Sequence, residues 1–108
     1  MNVQKRAKQF LLDQNIYKNI TFLNKVKSNT TQSTYFYFMG ELEKPFESKT
    51  FKGKEFKEYY EVVMVRVSDH ENREHCNSEW YSKNKVISGD VIDFADDLKD
   101  AKEIALGI

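Results

Sequence analysis

The stretch from Phe56 to His70, FKEYYEVVMVRVSDH, constrains the fold more than any other part of the chain. It opens on aromatic and charged residues in alternation, runs through Val62, Val63, Met64 and Val65 without a polar interruption, and closes on Arg66-Val67-Ser68-Asp69-His70. A run of β-branched and aromatic residues favours extended chain, because branching at Cβ packs well on a pleated surface and is crowded in a helix. Successive strand side chains point to opposite faces, so four apolar residues in a row need cover on both. The stretch predicts a core strand with a polar tip.

At 108 residues the chain has material for one core and not two, so residues 1–108 read as a single domain. Ahead of the central stretch, Val3, Ala7, Phe10 and Leu11 recur at helical spacing after a capping Asn2, and this helix is expected to end near Gln14-Asn15. From Ile16 the period changes. Ile20, Phe22 and Val26 are expected on one side of a strand, with Thr21, Lys25 and Lys27 on the other. The polar cluster KSNTTQ, residues 27–32, predicts a turn, and STYFYFM, residues 33–39, a second strand, so the pair forms an antiparallel hairpin. Gly40 to Glu55 holds the single proline, Pro45, and reads as a long loop or a hairpin arm.

Beyond the central strand, Glu71 to Asn84 is polar with Trp80-Tyr81 embedded in it, two aromatics that either anchor the segment or mark a contact surface. Val86-Ile87 is expected to add a short edge strand. Ser88 then reads as the cap of a C-terminal helix with Val91, Phe94, Ala95, Leu98, Ala101 and Ala105 on one face and Gly107 at its stop. In that helix Asp93, Asp97 and Asp100, with Asp96 adjacent, form an acidic stripe. The predicted fold is α+β, an antiparallel sheet of three or four strands flanked by N-terminal and C-terminal helices.

Formal charge is balanced, 17 basic against 17 acidic residues, which gives no global attraction for nucleic acid or an anionic membrane. The distribution is uneven: residues 1–27 carry six basic and one acidic residue, and residues 88–108 six acidic and two basic. No apolar run has the length of a membrane span and the N-terminus lacks the apolar core of a signal peptide. The single cysteine, Cys76, forms no internal disulfide. A cytoplasmic protein without membrane association is expected.

The residues capable of chemistry are few. Ser68-Asp69-His70 contains the residue types of a hydrolase triad, but neighbours on a strand alternate in direction and a triad needs convergence. His70, His75 and Cys76 are of zinc-binding type, with Asp69, Glu71 or Glu74 as carboxylate donors. Their H-x4-H-C spacing fits no zinc module, and neither a phosphate loop nor a dinucleotide fingerprint occurs. No metal or cofactor is expected. Arg66, a charge on a core strand, needs a partner, for which Asp69 or Glu61 is in reach; alternatively it holds a phosphate or carboxylate. Lys49, Lys52 and Lys54 surround Phe46 and Phe51, a mixture suited to single-stranded nucleic acid or to a solvated loop whose rings fold back on the core.

Ser33-Thr34-Tyr35-Phe36-Tyr37-Phe38 followed by Val65-Arg66-Val67-Ser68-Asp69-His70 resembles the pattern S-x-Y-x-x-[F/V] … [IV]-R-[IV]-S-D-H of small accessory domains in phage and plasmid proteins, including polyvalent proteins linked to protection of incoming DNA. The resemblance implies a mobile-element context, with Arg66, Ser68, Asp69 and His70 as the common feature. Together these readings lead to a non-enzymatic interaction protein that binds and inhibits a host protein of a nucleic-acid defence system, an anti-CRISPR-like inhibitor. Asp93, Asp96, Asp97 and Asp100, with Trp80 and Tyr81, are its expected contact residues. A nucleic-acid-binding module using Lys49, Lys52, Lys54 and Arg66, and a small metal-dependent or nucleotide-processing enzyme around Asp69, His70 and His75, are the alternatives.

Overall fold

The computed structural model describes residues 3–49, 55–69 and 85–107. Its elements in order are α1 (Val3–Leu12), β1 (Tyr17–Ser28), β2 (Ser33–Lys49), β3 (Glu55–Ser68), β4 (Val86–Ala95) and α2 (Leu98–Leu106). The strands form one antiparallel sheet in the order β1-β2-β3-β4, so the fold is α+β and β3 lies inside the sheet.

The apolar run of β3 is covered on both faces, as its sequence requires. Val63, Val65 and Val67 pack with Phe36, Phe38, Ile20 and the α1 residues Ala7 and Leu11, while Val62 packs with Met39, Ala95 and the α2 residue Ala101. One helix therefore lies on each face of the sheet. Gly89 lets α1 approach β4 closely: a Cβ built there would stand 2.5 Å from Phe10 Cε1. The helix α1 stops where expected, with Asn15 in the left-handed region at φ 60°, a conformation that asparagine tolerates better than most residues.

Two elements differ from the sequence reading, and of the two readings open for the segment after Gly40 one is realised. Ile20 and Phe22 stay on the α1 face opposite Gly40 and Phe38, but Val26 pairs with Tyr35 on the other face. A bulge between Phe22 and Asn24 inserts one residue and inverts the alternation. The segment after Gly40 is a hairpin arm: β2 runs on to Lys49 and pairs with β3 as far as Glu55. Pro45 falls in the irregularity between Glu41 and Phe46, where its missing N–H interrupts no ladder pair.

The largest correction concerns residues 88–95: the edge strand expected at Val86-Ile87 is present, but it runs on to Ala95 where a helix was expected to start. Val91, Phe94, Ala95 and Leu98 do recur at helical spacing, but Val86, Ile87, Val91 and Ile92 are β-branched, and the free edge of β3 offers backbone partners from Val67 to Tyr60. The capping role expected of Ser88 belongs to Asp97, whose extended backbone precedes α2 and whose Oδ1 accepts from Asp100 N at 2.8 Å. Asp100 Oδ2 in turn accepts from Asp96 N at 3.0 Å. A helix of nine residues is marginal by itself, so the cap matters. Asp97→Ala is expected to lower global stability by about 1 kcal/mol. The checks are the urea midpoint and amide exchange, with faster exchange concentrated in α2.

Candidate functional site

The segment that begins at Ser33 and the segment that ends at Asp69 become neighbouring strands. Ser33 pairs with Ser68, Thr34 with Val67 and Tyr35 with Arg66. Val65 and Val67 point into the α1 face, so Arg66 and Ser68 stand on the α2 face and Asp69 returns to the first. Arg66 Nε donates to Ser33 Oγ at 2.9 Å, and its guanidinium carbon lies 6.0 Å from the Tyr35 ring centroid. Ser33 Oγ donates onward to Thr31 O at 3.1 Å. On the opposite face Thr34 Oγ1 donates to the Asp69 carboxylate, 2.9 and 3.0 Å from its two oxygens. Backbone bonds from Ser68 N to Lys85 O and from Asp69 N to Gln32 O complete this rim.

The ion pair expected between Arg66 and Asp69 or Glu61 is not what forms. Asp69 and Arg66 occupy opposite faces of β3, and Glu61 is five residues back along the strand on the Asp69 side. The same alternation separates Ser68 from Asp69, which removes the geometric basis of a contiguous triad. What these residues do together is fasten the end of the β2–β3 hairpin to the turn before β2 and to the entry of β4. His70, His75, Cys76, Trp80 and Tyr81 lie outside the described residues, as do Lys52 and Lys54. Among the described residues no cluster of three or more His, Cys, Asp and Glu side chains could hold a metal ion.

Lys49 and Arg66 do not meet. Lys49 pairs with Glu55 at one end of β3 and Arg66 sits near the other, about 36 Å away at roughly 3.3 Å per residue. The aspartates, in contrast, are gathered, although not on a helix. Asp90 pairs with Met64 and Asp93 with Val62, which places both on the α2 face along the outer strand. Asp96 and Asp97 form the exposed corner that follows, and Asp100 opens α2. Five carboxylates thus follow one another from the outer strand through the corner into α2. Along the opposite edge strand, β1, Lys18, Lys25 and Lys27 are exposed, so the uneven charge of the sequence becomes a polarity across the sheet.

A buried polar pair escaped the sequence reading. Tyr17 Oη donates to Glu61 Oε2 at 2.7 Å, with both residues buried. Tyr17 lies over Gly40, directly opposite Glu61 on β2. Beside the pair a cleft of about 660 Å³ opens between Ile16 and the irregular part of β2, with Glu61 in its wall. The available signal was a glutamate directly before the apolar run of a core strand, together with a tyrosine at the start of a strand. A sequence separation of 44 hid the pairing.

Burial first, then the hydrogen bond to Glu61 and the negative charge of that carboxylate, hold the Tyr17 hydroxyl far above the ordinary phenol value. The folded protein therefore keeps this proton longer than the unfolded chain. The associated stability is fully present below about pH 10 and is lost as pH rises through the folded-state value. The urea midpoint is expected to fall above pH 10. Tyr17→Phe should flatten part of that fall and cost about 1.5–3 kcal/mol at neutral pH, the size of a lost hydrogen bond to a charged group. Some slope should persist in the variant, because burial and the neighbouring Tyr35 also raise Tyr37.

Comparison with family models, curated proteins and solved structures gives no match to this chain. No helix among the described residues is long and apolar enough to cross a membrane.

Proposed function

We propose that the chain is a non-enzymatic interaction protein of phage or mobile-element origin that binds a host protein of a nucleic-acid defence system and inhibits it. The observation that carries this reading is the acidic margin: Asp90, Asp93, Asp96, Asp97 and Asp100 follow one another along the outer strand and the corner into α2. A row of carboxylates fixed on a sheet edge can occupy a basic groove that otherwise holds phosphates, and complementary potentials favour the encounter. Three of the five also make local backbone hydrogen bonds, Asp93 to Phe94 N, Asp97 to Asp100 N and Asp100 to Asp96 N. Those bonds fix the orientation of the carboxylates without neutralising them. The pattern shared with phage and plasmid accessory domains supplies the biological context.

The nucleic-acid-binding alternative loses support from the separation of Lys49 and Arg66, since a groove tracking one strand needs its cations side by side.

The test is a pair of binding measurements on the full chain. Tight, salt-sensitive association with a purified nuclease effector, lost when Asp93 and Asp96 are both replaced by lysine, is the expected result. Salt-dependent binding to a mixed oligonucleotide pool, with no association to any effector tried, would overturn it in favour of the alternative. Stoichiometric zinc in protein purified without a His tag would promote the enzyme reading instead.

A further inference from the structure

We infer that the cleft beside Glu61 is a binding site for a small amphipathic organic cation, an ammonium or guanidinium group carried on a short hydrocarbon body, with the Glu61 carboxylate as the partner of the charge. The site is separate from the acidic margin, so either can fail without the other.

The cleft has the size and lining that such a ligand needs. Its volume of about 660 Å³ is in the range of small-molecule sites, and Ile16, Leu42, Pro45 and Phe46 supply an apolar wall. Phe46 is held at the rim by stacking on Phe94, ring centroids 5.3 Å apart at 23°. The irregularity between Glu41 and Phe46 makes the concavity, because four residues of β2 bow out opposite a single residue of β3. A backbone bond from Glu43 N to Ile16 O ties the bowed segment to the chain entering β1.

The charge of the wall selects the sign of the occupant. Glu43, Glu47 and Glu61 face a single cation, Lys44, around the same cleft. Glu61 is the informative member, being only 9 % exposed. A carboxylate removed from water needs its acceptor positions filled, and it has about four. Among the described residues Tyr17 is its hydrogen-bond donor, through Oε2. A ligand N–H donor in the cleft would reach the carboxylate from the side not taken by Tyr17 as a charge-assisted hydrogen bond, and the apolar wall would take the hydrocarbon. A neutral alcohol of the same shape could donate one hydrogen bond but brings no charge, and an anion would be repelled.

The experiment uses the full chain labelled with ¹⁵N and titrated at neutral pH with n-hexylammonium, 1-hexanol and hexanoate, read by amide chemical shifts. Saturable shifts at Ile16, Leu42, Phe46 and Glu61 are expected with hexylammonium, with binding at least about tenfold weaker for hexanol and none for hexanoate. Glu61→Gln should abolish the preference for the amine over the alcohol. Because that variant removes a buried partner of Tyr17 and could impair folding, Lys44→Gln on the cleft wall gives a second reading, with hexylammonium binding strengthened about two- to threefold. Equal binding of amine and alcohol, absence of saturable shifts, or shifts clustered away from the cleft would each overturn the assignment.

Discussion

Phe38→Ala is expected to destabilise the protein by about 3–5 kcal/mol, the usual cost of truncating a phenylalanine enclosed in a core. Phe38 is fully buried and sits where strands and helix meet: it pairs with Phe22 on β1 and Val63 on β3, within the cluster that Ala7 and Leu11 of α1 close from above. At about 4–8 °C per kcal/mol for a domain of this size, the melting temperature should fall by more than about 12 °C. Against a typical total of about 5–15 kcal/mol, that loss leaves a marginal fold. Phe22 is the control. The two rings meet edge to face with centroids 5.8 Å apart, but Phe22 is 38 % exposed. Phe22→Ala removes the same ring contact without opening a cavity, and about 1 kcal/mol is expected. Equal losses in the two variants would mean that the core is not centred on Phe38.

The parts of the fold that were legible are those where one local preference had no rival. The run Val62 to Val65 could satisfy itself only as a doubly covered strand, and Ala7 and Leu11 lie on the buried face that their spacing indicated. Residues 88–95 differ from their sequence reading because two periods coexist in SGDVIDFA, and spacing alone does not reveal that the strand begun at Val86-Ile87 continues along an otherwise unpaired edge of β3. The bulge between Phe22 and Asn24 is harder still. Nothing in FLN marks an inserted residue, yet the insertion moves Val26 to the opposite face.

The sites divide in the same way. Arg66 was recognisable as a charge in need of a partner, but among the described residues its hydrogen bond goes to Ser33, on the preceding strand, and not to Asp69 or Glu61. Cross-strand register decides this, and register is a property of the hairpin as a whole. Tyr17 and Glu61 form a pair only because β1 and β3 flank β2 at Gly40, a three-strand coincidence that no linear spacing encodes. The aspartates were found as a group for the wrong local reason. Composition brought them into one segment, and that survives the change from helix to strand.

Gly40→Val tests that coincidence directly, with an expected loss of about 2–6 kcal/mol, composed of overpacking and of a buried carboxylate deprived of its donor. A Cβ at position 40 would stand 2.5 Å from both Cδ1 and Cε1 of Tyr17 and 3.1 Å from Cγ, far inside carbon–carbon contact distance. Tyr17 has little room to yield, since its ring is buried, its hydroxyl is bonded to Glu61 and its backbone pairs with Leu42. The gain from placing valine in a strand, up to about 1 kcal/mol, has the opposite sign and is smaller. Gly89→Val is the matched comparison. Its Cβ would also come within 2.5 Å of a ring, but the contact is with the Cε1 edge of Phe10, which is only partly buried and can swing toward solvent. A loss at position 40 that exceeds the loss at 89 by about 2 kcal/mol or more, together with earlier titration of Tyr17 in alkali, is the expected outcome. Similar losses at the two glycines, with the tyrosine titration unchanged, would show that Tyr17 gives way freely and that its bond to Glu61 is not what fixes the wall of the cleft.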